Sequence, residues 1–257
     1  MDTMLARQQA EFARRQKEIE ESRTAMAAML SNYASLQAGQ NAGGVERVVG
    51  LDAIRVRLEE LAFRARRETH AFAPGGAQTP ANRAASRPLS EALLARGVRV
   101  QTVYLDSVAN DPGSREHIAR MASMGGESRT VPSLPMRMQI VDREVVLLPL
   151  DPADSSQGAV VIREAGALAG LCALFDQVWA RAQPLGEAVV PVSADTVGRQ
   201  EVALLQLLAE GLTDEAAARR LGVSLRTERR MITELSKRLG ATSRFQLGQR
   251  AAELGVL

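Results

Sequence analysis

The chain has 257 residues, 46% of them apolar, enough for one to two domains of about 100–200 residues with a buried core in each, and too apolar for a disordered tail. Against 32 Lys and Arg stand 30 Asp and Glu, a net charge of +2, so charge can matter here only through its placement. A single cysteine, Cys172, and two histidines, His70 and His117, exclude an internal disulfide and a multi-thiolate metal centre, and no metal or cofactor is expected. No stretch of about 18 uncharged apolar residues and no apolar signal core near Met1 is present, which predicts a cytoplasmic protein with no membrane association.

Residues 4–37 lack Gly and Pro and predict one long helix. Leu5, Phe12, Ile19, Met26 and Tyr33 recur every seven residues, the spacing of a coiled-coil seam, so residues 1–38 are expected to form a homodimerisation helix with those five residues at its interface. The companion positions three residues on are Gln8, Arg15, Ser22, Met29 and Leu36, so the second seam is apolar only near its end. The other reading of the pattern is an amphipathic helix lying on its own domain.

The run GQNAGG at 39–44 ends that helix and opens an α/β body expected over 39–183. Strand patterns at 45–49 and 69–73 flank a helix from about Asp52 to Arg67. Three Pro and two Gly in 74–88 predict a surface loop before a short helix at 89–95. Residues 97–106 alternate like a strand, and a helix is expected over about 114–124. MRMQIV and REVVLLPL then read as a hairpin turning at Asp142-Arg143, followed by a strand at 158–164. A helix from Gly166 to Ala182 places Leu168, Leu171, Phe175, Val178 and Trp179 on one face, so Trp179 is expected in the core. Arg99, Arg129 and Arg137 lie near strand ends and are either surface arginines or a place for an anionic effector.

Residues 184–197 carry two Pro and one Gly with little periodicity and predict a linker. Residues 198–257 read as helical throughout. The helix 199–210 stops at Gly211, Thr213 caps DEAAARRL, Gly222 ends it, Ser224 caps LRTERRMITELSKRL, Gly240 ends that, and a last helix runs from about Arg244 to Leu254. Two helices separated only by Gly222-Val223-Ser224 cannot fold back antiparallel and must cross at a wide angle, as in a helix-turn-helix. Between Arg219 and Arg250 there are nine basic and two acidic residues, a local positive excess suited to phosphate, and Arg on an outward helix suits guanine O6 and N7 in the major groove.

The run LLQLLAEGLTDEAAARRLGVSLRTERRMITELSKRLGATSRFQL resembles the C-terminal DNA-binding domain of LuxR-type transcriptional regulators, with the pattern LxLLAxGLxxxxIAxxLxxSxxTVxxHxxxIxxKLxxxSR. The resemblance covers about 60 residues. It implies a bacterial-type regulator of transcription that binds double-stranded DNA with a recognition helix over about 224–239. It further implies that Ser224 and Thr227 cap that helix and touch phosphate, that Arg229, Arg230 and Thr233 reach base edges beside Arg226, and that Lys237, Ser243 and Arg244 meet the backbone or brace the last helix. Glu228 and Met231 depart from the pattern, standing where valine and histidine are usual. Glu228 either pairs with a neighbouring arginine or turns outward, or it is buried without a partner, in which case the helix docks differently from its relatives and the base-contacting residues shift.

The body, with ARGVRVQTVYLD and HIARMASMGGESRTVPSLPMRMQIVDREVVLLPLD, is similar to the phospholipase-D-like effector domain that follows a coiled-coil helix in TrmB-type regulators. The phospholipase D signature is HxKxxxxD, and here the octet reads PMRMQIVD: Pro135 replaces the histidine nucleophile, Arg137 the lysine, and only Asp142 is kept. Without an imidazole no phosphohistidine can form, so a non-catalytic sensor or assembly role is expected, with His117 a surface or packing residue. The whole is thus read as α+β: a long N-terminal helix, a phospholipase-D-like body and an all-α helix-turn-helix domain. A phosphodiesterase with a DNA-targeting tail and a protein-interaction scaffold are the competing readings.

Overall fold

The computed structural model describes residues 45–75, 80–152, 154–185 and 197–257, with the side chains of 80–85 excepted. The heptad residues Leu5, Phe12, Ile19, Met26 and Tyr33 lie outside the described residues. Residues 47–257 form one compact unit. Among the described residues no helix is long and apolar enough to cross a membrane.

In chain order the body consists of β1 (Val45–Val49), α1 (Leu51–Arg64), β2 (Glu68–Ala73), α2 (Pro80–Ala95), β3 (Arg99–Leu105), α3 (Pro112–Ser123), β4 (Glu127–Val131), β5 (Met138–Val141), β6 (Val145–Pro149), β7 (Gly158–Ile162), α4 (Ala165–Arg181) and β8 (Gln183–Pro184). The strands make one mixed sheet in the order β1-β7-β6-β5-β2-β3-β4-β8. β2, β3 and β4 run parallel, with helices in the crossovers, whereas β5, β6 and β7 add antiparallel to β2 through short connections. The parallel centre must be covered on both faces, and it is. Phe72, Val103, Met138, Ile140 and Val146 point to the face closed by Leu168, Cys172 and Phe175 of α4. Their neighbours Val141, Leu147 and Val161 point to the face closed by Ile54 and Leu61 of α1 and Leu93 of α2, the period-two alternation of a pleated sheet.

Two expectations need correction. Residues 80–88 are helix, not loop: α2 starts at Pro80 and carries Pro88 inside it. Proline at a first helical position costs nothing because that N–H has no intrahelical acceptor, and ANRAAS consists mostly of residues that tolerate or favour a helix. Residue 184 belongs to the sheet rather than to the linker, since Gln183 and Pro184 pair antiparallel with Thr130 and Arg129. The hairpin turn falls where it was expected. Asp142 and Arg143 have φ of 52° and 57°, the left-handed pair that a two-residue hairpin requires, and Glu144 N–H donates to Val141 O at 2.9 Å.

Trp179 packs on the core as expected, in a stack with Phe175 at 5.8 Å between centroids; Phe175 in turn stacks on buried His70 at 4.5 Å. His117 is buried on α3. The helical region follows: α5 (Arg199–Ala209), α6 (Asp214–Leu221), α7 (Leu225–Arg238) and α8 (Arg244–Glu253), packed around Leu204, Leu221, Leu235, Leu247 and Ala251.

Candidate nucleic-acid interface

The corner between α6 and α7 is built from the residues that mark it in the sequence. Thr213 caps α6 by accepting from Ala216 N–H, and Gly222 ends it at φ 64°, a left-handed conformation that costs glycine nothing. Val223 N–H then donates back to Ala218 O at 3.0 Å, the 6→1 bond of a Schellman turn. Ala217 and Ala218 are buried, and their small side chains let α7 cross close to α6. Ser224 starts α7 at once, its Oγ accepting from Thr227 N–H at 3.1 Å and sharing a hydrogen bond with Thr227 Oγ1 at 2.8 Å. Three residues therefore change the chain direction, with the N–H groups of Gly222 and Val223 both donating back into α6.

Arg226, Arg229, Arg230, Thr233 and Lys237 fall at successive positions i, i+3, i+4, i+7 and i+11 of α7, within about 100° of arc at 3.6 residues per turn. All five are exposed. Arg226, Arg229 and Lys237 have no ion-pair partner among the described residues, while Arg230 lies 3.7 Å from Glu234 on its own helix, a solvent-screened pair. Thr233 Oγ1 donates to Arg229 O at 2.8 Å. Four cations thus stand along one stripe of a rigid helix, facing water.

The opposite stripe holds Glu228, Met231 and Leu235, all buried. Glu228 is fully buried and neither of its carboxylate oxygens meets a hydrogen-bond partner. Burial pushes its carboxyl above the ordinary value, helped by Asp214 and opposed by Arg244 and Arg229. Glu228 and Met231 therefore lie on the inner face of α7, and the outer stripe contains neither; with Glu228 buried and unpartnered, the condition under which the helix is expected to dock differently from its relatives is met. Ser243 caps α8 through Gln246 N–H at 3.2 Å, and Arg244 meets Asp214 at the start of α6 at 2.5 Å. Arg238 does the same toward Glu201 at the start of α5. Ser243 and Arg244 thus brace helix ends; the Arg238 pairing went unmarked in the sequence because it depends on tertiary placement.

The octet PMRMQIVD at 135–142 ends on an aspartate that the fold itself uses. Asp142 accepts the backbone N–H groups of Arg66, Arg67 and Glu68 at 2.9, 2.8 and 3.0 Å. Partial burial raises its carboxyl pKa, but those three donors outweigh it and hold the group below the ordinary value. Asp142 is thus a staple between the start of β2 and the β5–β6 turn. Beside it Arg143 pairs with Glu68 at 2.8 Å and, through two nitrogens, with Asp176 at 2.9 and 2.8 Å. His70 Nε2 lies 3.4 Å from Glu68, and burial pulls the imidazole pKa down. Of the three arginines near strand ends, Arg129 is used by Trp179, whose carbonyl it reaches at 2.8 Å and whose ring it covers at 4.4 Å. Arg99 lies 3.9 Å from Glu68. Arg137 has no polar partner among the described residues.

No protein-family model matches the chain. Over 162 residues it is 38% identical to the bialaphos biosynthetic pathway regulatory protein of Streptomyces hygroscopicus, a match that covers 63% of this chain and 63% of that one. The chain therefore spans just under two thirds of the length of this relative. Similar solved structures include TrmBL2, an archaeal chromatin protein whose structure shows a novel mode of DNA binding, at 17% identity and a TM-score of 0.44 over 65% of this chain and 66% of that one. Nuc, a phospholipase D family member from Salmonella typhimurium, aligns at 18% identity and a TM-score of 0.44 over 55% of this chain and 96% of its own. VqmA of Vibrio cholerae, with its ligand and DNA, aligns at 18% identity and a TM-score of 0.23 over 47% of this chain and 50% of its own.

Proposed function

We propose that this protein is a bacterial-type, cytoplasmic regulator of transcription that binds double-stranded DNA in a sequence-specific way as a homodimer. The observation that carries the reading is the exposed stripe of Arg226, Arg229, Arg230, Thr233 and Lys237 on α7. A helix of this kind fits the roughly 12 Å major groove. Arg229, Arg230 and Thr233 read base edges beside Arg226, Lys237 meets phosphate, and the exposed Ser224 with Thr227 at the N-terminus of α7 lies where a phosphate is favoured. The 38% identity to a pathway regulatory protein supports a regulatory role.

In this reading the parts divide as 1–38 for pairing, 39–183 as a non-catalytic sensor or assembly body, 184–197 as linker and 198–257 for DNA. Two copies set about 34–36 Å apart would read an inverted repeat, which a single module touching about three bases discriminates poorly. The body is read as non-catalytic because the octet offers no histidine and because Asp142 is engaged by three backbone donors.

The test is selection of bound duplexes from a random pool, followed by titration of the recovered site and of random duplex. Arg229→Ala and Arg230→Ala, which each remove one bidentate guanidinium–base pairing, are expected to lower the preference for the selected site by about 1–3 kcal/mol apiece. Lys237→Ala should weaken both duplexes alike and reduce the salt slope by about one. Equal weakening on both duplexes for all three variants would refute the assignment of base-reading and phosphate-binding residues.

A further inference from the structure

Between the body and α6 lies a cavity of about 850 Å³, within the roughly 300–1,000 Å³ range of small-molecule sites. Its charge is one-sided. Among the described residues three arginines line it, Arg137 from the body and Arg219 and Arg220 from α6, against a single carboxylate, Glu210. None of the three has a carboxylate within ion-pair distance among the described residues. Arg220 Nη1 donates to Pro135 O at 2.7 Å, and Arg219 Nε reaches Glu215 O at 3.4 Å, so each uses one of five N–H donors on a neutral carbonyl.

Arg137 is the most constrained of them. It is half-buried, and it packs so close to Gly75 that a Cβ there would lie 3.1 Å from Nη2; a glycine makes room for this guanidinium. Burial pulls its pKa below the ordinary arginine range with no anion to oppose it. Every other arginine singled out beside the sheet has found a partner in the fold. Arg219 and Arg220 are exposed and Arg137 is half-buried; charges of one sign gathered around a half-open cleft repel one another, and a guest of opposite sign relieves that repulsion.

We propose that this cleft binds a small molecule carrying two or more phosphate or carboxylate groups, gripped by Arg137 on one side and by Arg219 and Arg220 on the other. Guanidinium forks match the planar oxygen pairs of both groups. Because Arg219 and Arg220 sit on the helix that leads into α7, an occupied cleft fastens the DNA-reading region to the body. That consequence rests on the regulatory reading above; the binding itself does not.

The experiment is calorimetric titration of the full chain, without DNA, with pyrophosphate and with citrate at about 150 mM salt, where screening suppresses loose surface association. Saturable binding of at least one of the two is expected. Arg137→Gln and Arg220→Gln, one from each side of the cleft, should each weaken it at least about tenfold, whereas Arg115→Gln, on the exposed face of α3, should leave it unchanged. Circular dichroism melts of the unliganded variants report that they are folded. The double variant Arg229→Ala/Arg230→Ala should lose DNA and keep the anion, so failure of the DNA reading leaves this outcome intact. No saturable binding of either probe, full binding by Arg220→Gln, or a loss confined to the double variant would each overturn the proposal.

Discussion

Replacing Glu228 with valine should raise the stability of the helical region at neutral pH. Both carboxylate oxygens are buried without a partner, and leaving such a group unsatisfied costs about 1–3 kcal/mol, more when it is charged. A carboxylate in the first turn of a helix recovers about 0.3–1 kcal/mol from the helix dipole, and valine gives up a few tenths of a kcal/mol in helix propensity. The net gain is then about 1–2 kcal/mol, and in a region of this size each kcal/mol moves the unfolding midpoint by about 4–8 °C. Glu228→Gln, which removes the charge but keeps polar atoms in the same place, should fall between wild type and valine. The sign of the pH dependence follows from the raised carboxyl: a group that titrates above its ordinary value of 4.5 when folded favours the folded state below 4.5 and loses that contribution as pH rises through the folded value. The wild type should therefore close the gap to Glu228→Val as the medium is acidified from pH 7 toward 4.5. Melts followed by circular dichroism at several pH values measure this. A lower midpoint for Glu228→Val at pH 7 would mean that the carboxylate is paired in solution, and a gap that does not change with pH would refute its raised pKa; either result overturns the reasoning.

Asp142→Ala should cost about 1–3 kcal/mol, since it strands three backbone donors at the start of β2. With its carboxyl held below the ordinary value, that contribution is present at neutral pH and is lost as pH falls through the folded value, so chemical denaturation of wild type and variant should converge in acid. Gly222→Ala places a Cβ at φ 64° and should destabilise the helical region by about 1–2 kcal/mol, read as a lower midpoint with α7 still helical.

The helical region was legible in the sequence nearly to the residue because its punctuation is local. Thr213, Ser224 and Ser243 are caps whose bonds close within three residues, and Gly211, Gly222 and Gly240 all take the positive φ that ends a helix. The stripe on α7 was legible for the same reason, as a period of 3.6 puts Arg226, Arg229, Arg230, Thr233 and Lys237 together whatever the tertiary fold. Elements of the body were readable but their arrangement was not: nothing near residue 142 announces that its carboxylate will hold residues 66–68, because the partners are some 75 positions away. The start of α2 was hidden by the density of Pro and Gly in 74–88, where Pro80 acts as a helix initiator rather than a breaker. The inward turn of Glu228 was among the alternatives, and the choice needed Met231 and Leu235 to be seen on the same buried face. The isolation of Arg137 could not be read at all, since the absence of a partner is a property of three-dimensional surroundings.

The short strand β8 bears on how copies of this chain can meet. Its two residues close the β4 side of the sheet and include Pro184, which has no N–H to offer an incoming strand. Sheet extension from one molecule into the next is thereby blunted on that flank. At the other flank β1, outermost among the described strands, carries Glu46 and Arg47 side by side between exposed Val45 and buried Val48, and charged residues on an edge strand discourage ribbon-like polymerisation.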